Sequence, residues 1–434
     1  MKSKHLIAAG LCCLLLTACS DLSLTGSDIL SPPAAQGDRS GLRELITQSV
    51  GEDYMPVYPA AGEYQNAVIE RDVDGDETDE AIVLCRGRDG DVSVLVFVSD
   101  GSSYSSAGKA SIHASRIDRV EFADLDADGT QELILLYPDS ASEQDSLTVV
   151  STTEPVVQAD MPASCRSCII SDLDGDGAQD VLLLSLSSPI GSAAATLLGY
   201  DHGALSVRTS CEMDSLITGY ESITCGMVSE GVSGVFVDGY NASGETTTQV
   251  LYYDPERGSL FNPLFIYVGY ESTRRTEHIS CGDIDTDGLV EFPVCSLCDS
   301  GEKEPPETVC RRLTWNNYRT TDMELISKKT AVLCGDQGFL FNIDDARVDT
   351  VTARCTDPDT VALYAWEFSG TEMRCTDLLV TLHRYAKESY DSSGGAGTLL
   401  ASTDDSVYTY ELNPSAGAHA YTGDEVKNSF TPME

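Results

Sequence analysis

Carboxylates recur in this chain at a fixed spacing: Asp72, Asp74, Asp76 with Glu80; Asp124, Asp126, Asp128 with Glu132; Asp172, Asp174, Asp176 with Asp180; Asp283, Asp285, Asp287 with Glu291. Each set puts acids at positions 1, 3, 5 and 9 of a short segment. Alternate acids on a tight loop can aim their oxygens at one point. Without a cation there, their mutual repulsion opposes such a loop. Calcium takes roughly six to eight hard oxygen ligands. The sets therefore predict four calcium sites, with these acids as ligands and a backbone carbonyl near position 7 as a further donor.

An EF-hand also uses positions 1, 3 and 5, but it requires a bidentate Glu at position 12 and a helix after the loop. Here position 12 is Val83, Leu135, Leu183 or Val294, and each loop runs into a short apolar stretch such as Leu133-Ile134-Leu135-Leu136. Such stretches suit buried strands. The pattern resembles the FG-GAP and VCBS-type repeats of integrin-α-like β-propellers, over residues 64–333. That resemblance implies a calcium-binding β-propeller. Glu77 departs from it, standing where the other loops have Gly129, Gly177 and Gly288. A permissive backbone is favoured there, which implies a weaker or differently shaped first site.

The loops begin at residues 72, 124, 172 and 283. The last gap is about twice the others, and a degenerate copy fills it. Ile223-Thr224-Cys225-Gly226 matches Ile279-Ser280-Cys281-Gly282, after which Met227, Ser229, Gly231 and Val235 replace the four acids. This copy keeps the frame without the ligands. Each unit also carries a hairpin signature, such as Val94 to Gly101 or Val250 to Gly258, with Asp and Gly between apolar runs. A unit of about 50 residues with several short strands has the size of a propeller blade. The expected fold class is all-β: a calcium-binding β-propeller of five to seven four-stranded blades over 42–334, followed by a small C-terminal β-rich domain over 335–434. Residues 42–62 and the region after Cys334 are expected to supply closing strands or further blades.

At the start of the chain, Lys2 and Lys4 precede an apolar run at 6–16 that is too short to span a bilayer. Leu16-Thr17-Ala18-Cys19 follows and resembles the lipobox of bacterial lipoproteins. The resemblance implies a signal peptide at 1–18, lipid on Cys19 and a place in the cell envelope facing outside the cytoplasm. Residues 19–41, rich in Ser, Asp, Gly and Pro, read as a flexible tether. Membrane contact would come through that lipid alone. The formal charge of −43 excludes nucleic acid as a partner.

Twelve of the 15 cysteines lie beyond Cys19. Cys165-x-x-Cys168 and Cys295-x-x-Cys298 have zinc-like or redox-like spacing, but they fall in repeats that are not neighbours. Their apolar settings favour buried thiols, with one or two disulfides open. No histidine stands in a motif for nucleophilic or metal chemistry, so no catalytic residue is assigned. The expected function is a non-catalytic binding or scaffold module for a protein or glycan. The alternative is a polysaccharide lyase or hydrolase built on a propeller.

Overall fold

Runs of Val, Ile and Leu bounded by Gly, Asp and Ser turns favour short buried strands. The chain folds that way and is all-β, with 55% strand and 9% helix. A computed structural model describes residues 39–433 apart from 88–89, 139–144, 163–164, 189–191, 202, 269, 299–309, 370–371 and 415. Cys19, the expected signal peptide and the tether up to residue 38 lie outside the described residues. Among the described residues, no helix is long and apolar enough to cross a membrane.

Helix α1 (Arg39–Val50) comes first. The first sheet holds β1 (Met55–Pro56), β2 (Val68–Arg71), β3 (Glu80–Arg86), β4 (Val92–Ser99) and β5 (Tyr104–Ile112). The second holds β6 (Arg119–Ala123), β7 (Glu132–Pro138), β8 (Asp145–Val150) and β9 (Gln158–Pro162). The third holds β10 (Ser167–Ser171), β11 (Asp180–Ser185), β12 (Ala194–Asp201) and β13 (Ala204–Glu212). The fourth holds β14 (Ile217–Ser229), β15 (Val232–Asn241), β16 (Thr246–Asp254) and β17 (Ser259–Phe261). The fifth holds β18 (Phe292–Leu297), β19 (Arg311–Arg319), β20 (Glu324–Cys334) and β21 (Phe339–Ile343), and the sixth begins with β22 (Val351–Asp357), β23 (Thr360–Ser369) and β24 (Glu372–Ala386). Helix α2 (Lys387–Ser393), β25 (Thr398–Ser402) and β26 (Ser406–Leu412) complete the sixth sheet, and helix α3 (Gly423–Ser429) leads to β27 (Phe430–Pro432). Strand pairing within these sheets is antiparallel.

Two compact units emerge. One is built on α1 and the first sheet, through Asn66–Ile112 and Thr153–Val156; the other carries the remaining sheets. In the first unit, Leu42 and Ile46 of α1 pack on Ala81, Val83, Leu95 and Phe97. Residues 42–50 are therefore helical rather than the expected closing strand: Leu42, Leu45 and Ile46 fall on one helical face. In the second unit, consecutive sheets stack face to face. Leu147 and Ile134 meet Val181 and Leu183; Leu182 and Leu197 meet Val235 and Leu251; Phe236 and Val250 meet Phe292 and Tyr318. Strands β7 and β11 are thus buried on both sides, which explains their unbroken apolar runs.

The boundary expected at 334/335 lies inside the β20–β21 hairpin, where Cys334 pairs with Phe339. Strand β27 then adds to the β21 edge through Phe341 and Phe430. Phe339 and Phe341 share one core with Val332 before the boundary and Leu363 and Leu382 after it. The 335–434 segment is β-rich, and it shares a sheet and a core with the preceding repeat. The acidic loops stop there, whereas the apolar alternation that builds sheets continues.

Candidate metal centres

All four acidic segments are loops of one design. The residue before each loop pairs with its position 9: Arg71 with Glu80, Ala123 with Glu132, Ser171 with Asp180, and Gly282 with Glu291. A strand, not a helix, follows in every case. Position 2 anchors the loop from below, with Val73, Leu125 and Leu173 buried. Positions 4 and 6 both take positive φ: Gly75 and Glu77 at 77° and 71°, Ala127 and Gly129 at 56° and 91°, Gly175 and Gly177 at 77° and 94°, Thr286 and Gly288 at 62° and 89°. The departure at Glu77 therefore leaves the loop's shape unchanged. Glu77 adopts the left-handed backbone that glycine takes elsewhere, at a cost of about 1 kcal/mol.

Loop amides orient the carboxylates. Position 1 accepts from the position 6 N–H: Asp72 from Glu77 at 3.0 Å, Asp124 from Gly129 at 3.0 Å, Asp172 from Gly177 at 3.2 Å and Asp283 from Gly288 at 3.0 Å. Position 9 accepts from the position 2 N–H: Glu80 from Val73 at 3.2 Å, Glu132 from Leu125 at 3.0 Å, Asp180 from Leu173 at 3.0 Å and Glu291 from Ile284 at 2.9 Å. In the first, third and fourth loops a second amide holds the other oxygen of position 1, from Gly75, Gly175 and Asp287 respectively. In each loop, oxygens from positions 1, 3 and 9 lie within 4.8 Å of one another: Asp72, Asp74 and Glu80; Asp124, Asp126 and Glu132; Asp172, Asp174 and Asp180; Asp283, Asp285 and Glu291. The position 5 acids, Asp76, Asp128, Asp176 and Asp287, stand apart and exposed. Each accepts the position 7 N–H instead.

Position 9 is buried in all four loops. Burial, reinforced by the neighbouring loop aspartates, pushes Glu132 up to about 7 and Asp180 up to about 6, and raises Glu80 and Glu291 as well. These carboxylates resist carrying a bare charge where they sit. Asp124 Oδ1 is buried without a hydrogen bond. Three converging carboxylate oxygens in each loop form a hard donor set that fits a divalent cation of the calcium class.

The degenerate copy differs. Strands β14 and β15 stay paired through Met227 with Ser233 and Ser229 with Val232, closing at Gly231 with φ 72°. The acidic loop is replaced by a tight turn. Val228 at position 2 is still fully buried. Loop corners also bond between sheets: Gln179 N donates to Asp124 O at 2.8 Å, and Val290 N donates to Met227 O at 2.9 Å, position 8 to position 1 in both cases.

Two features escaped the sequence reading. Arg208 and Lys328 contact the acids of the third and fourth loops. A buried Arg275–Asp238 pair at 2.8 Å stands in the sheet that lacks an acidic loop. For Arg208 the available signal was a lone basic residue in β13; Lys328 stands beside Lys329 in β20 and had no such mark. Nothing local marked the buried pair.

The cysteines, His383 and an arginine-lined cavity are placed as follows among the described residues. Cys295 and Cys298 join different apolar clusters, so their spacing makes no chelate. The Cys310 sulfur lies 3.0 Å from that of Cys355 and 3.9 Å from that of Cys334, and no cysteine joins a metal-capable group among the described residues. Thr360 and His383 face each other across β23 and β24 with Oγ1 to Nδ1 at 3.2 Å. Glu411, 3.7 Å from Nε2, is beyond hydrogen-bond reach. A cavity of about 310 Å³ is lined by Arg274, Arg275 and Arg311, but each is paired with an acid: Glu245, Asp238 and Glu277 respectively.

No family model matches the chain, and no curated protein is similar to it. Among solved structures, one similar chain is described as the crystal structure of BBS1N in complex with ARL6DN, soaked with lead. The similarity covers 84% of this chain and 97% of that one at 10% identity, with a TM-score of 0.27. A likeness this slight carries no argument.

Proposed function

We propose that this chain is a lipid-anchored β-propeller of the cell envelope, with its six sheets as blades and calcium ions stiffening four of the corners. It acts as a non-catalytic binding or scaffold module for a protein or glycan. The observation that carries this reading is the fourfold recurrence of converging carboxylates at the entry to a buried strand. Stacked sheets in series support a propeller. The lipobox-like Cys19 supports anchorage outside the cytoplasm, where calcium is abundant. Extracellular modules bind calcium at roughly 10⁻⁴–10⁻³ M, so the corners would fill on export. When bound, the ion supplies charge neutralisation. The chain's own residues hold the loop: position 2 plugs the core, the loop amides aim the carboxylates, and position 9 fixes the start of the strand.

Calcium titration tests the metal sites. Four ions are expected per chain, and Asp174→Ala should remove one. An unchanged count for that variant rejects the third site. Capture from envelope extracts with and without calcium tests the binding role. A partner retained only with calcium is the expected result; no specific partner under either condition counts against a binding module.

A further inference from the structure

One β-bulge recurs at the same register in three sheets. In the third sheet Leu197 pairs with Thr209 and Leu198 with Val207, leaving Arg208 as the extra residue. In the fifth, Trp315 pairs with Lys329 and Asn316 with Ser327, leaving Lys328. In the first, Val96 pairs with Gly108 and Phe97 with Ser106, leaving Ala107. The three positions are equivalent: Leu198, Asn316 and Phe97 pair with Val181, Phe292 and Ala81, each directly following a position 9 acid. The second sheet has no such bulge, since Val149 and Val150 pair with Ala159 and Gln158 without a shift.

A bulge re-aims a side chain, and here it aims a cation at the acidic loop of its own sheet. Arg208 Nη2 lies 2.5 Å from Asp174 Oδ2, and Nη1 lies 3.5 Å from Asp180 Oδ1. The loop amides bond the other oxygens, Asp174 Oδ1 and Asp180 Oδ2. Arg208 thus takes the oxygens that the loop leaves for a ligand. Lys328 stands at the equivalent bulge and reaches positions 3 and 5 rather than 3 and 9: Asp285 Oδ2 at 3.5 Å and also Asp287 Oδ2, while the amides hold Oδ1 of each. In the first loop, no basic side chain among the described residues pairs with Asp72, Asp74, Asp76 or Glu80.

We propose that the bulge residue is a tethered cation, Arg208 in the third sheet and Lys328 in the fifth, which a divalent ion must displace from the two loops it guards. The inference rests on the calcium reading above. It divides the sites into classes that the near-identical loop sequences conceal. The first loop is open and fills first; the third and fourth loops fill later, with calcium competing against a resident positive charge. Arg208 has a place to go when displaced. Its guanidinium lies 4.6 Å over the Tyr253 ring and is 3.3 Å from the Tyr253 hydroxyl, so release from the acids leaves it a partner.

Calorimetric calcium titration of the full chain at fixed salt tests this, using Arg208→Ala, Arg208→Lys and Lys328→Ala, with circular dichroism as the folding control. Alanine is the residue the first sheet carries at this bulge. Arg208→Ala and Lys328→Ala should each tighten one weak site by about fivefold with the stoichiometry still four. Arg208→Lys keeps the charge and should leave that site weak. Unchanged or weakened binding in both alanine variants overturns the tethered-cation role while leaving the calcium sites intact. A wild-type chain that binds no calcium overturns the metal reading itself, and this inference with it.

Discussion

The acidic corner between β10 and β11 and the hairpin between β14 and β15 occupy equivalent places in neighbouring sheets, yet they are built differently. The first leaves the ladder at Ser171 and Asp180 and gathers carboxylates, with Arg208 paired to Asp174 and Asp180. The second keeps its ladder to the end and turns at Gly231. Both retain the same two attachments: a buried apolar residue at position 2, Leu173 or Val228, and a hydrogen bond linking positions 1 and 8 of adjacent corners. Sheet formation and sheet stacking therefore do not depend on the acidic loop, which is an addition to a corner that strand pairing can close alone. The hairpin sheet places its own charge elsewhere. Arg275 and Asp238 are fully buried, with Thr248, Ser222 and the Cys281 amide completing the bonds of Asp238.

Calcium removal should separate the two corners most sharply. With calcium at 100 times the dissociation constant, each filled site contributes about 2.7 kcal/mol, so EDTA should lower the melting temperature markedly. Hydrogen exchange should show residues 172–180 losing protection while 227–235 keep theirs. Melting curves that coincide with and without calcium would break the contrast.

The converse perturbation is Arg275→Met, which leaves Asp238 buried without its partner. A loss of about 3–5 kcal/mol is expected, read by denaturant unfolding, with the calcium count unchanged at four. A lost calcium ion in that variant would show that the two corners are not independent.

Acidity should act on the acidic corners through their position 9 carboxylates. Burial raises Glu132 from 4.5 to about 7 and Asp180 from 3.8 to about 6. Between the unfolded and folded values, the folded chain binds more protons, so stability falls as pH rises through that window. In EDTA the melting temperature should therefore decline from pH 5 to pH 7, and Glu132→Gln with Asp180→Asn should flatten the decline. With calcium bound the trend should reverse, because protons compete with the ion. An identical slope in the double variant removes these groups as its cause.

The smallest effect belongs to Glu77→Gly. Relieving a left-handed non-glycine residue at φ 71° should stabilise the first loop by up to about 1 kcal/mol, seen as a small rise in melting temperature with the ion count unchanged. A loss of stability would mean that the Glu77 side chain supports the loop.

Much of this protein was legible in one dimension, because its informative features are local and repeated. The spacing of Asp, Asp, Asp and Glu fixed where the loops lie. Apolar runs after them fixed the strands β3, β7, β11 and β18. The frame shared by Ile223-Thr224-Cys225-Gly226 and Ile279-Ser280-Cys281-Gly282 located the sheet without acids. Each of these signals lies within about ten residues, so neighbouring side chains and backbone preferences suffice to express it.

Tertiary structure alone decided what depends on distant residues. The amide register and burial split the four acids of each loop into three that converge and one that stands outside. The pairing of β20 with β21 and of β21 with β27 joined a tail of different composition to the repeat before it. Strand register carried Arg208 across 34 residues to Asp174 and Lys328 across 43 to Asp285 (208 − 174 and 328 − 285). A one-residue bulge has no signature in composition. Its meaning appears only when the strands are paired, because pairing sets which side of the sheet a charge faces.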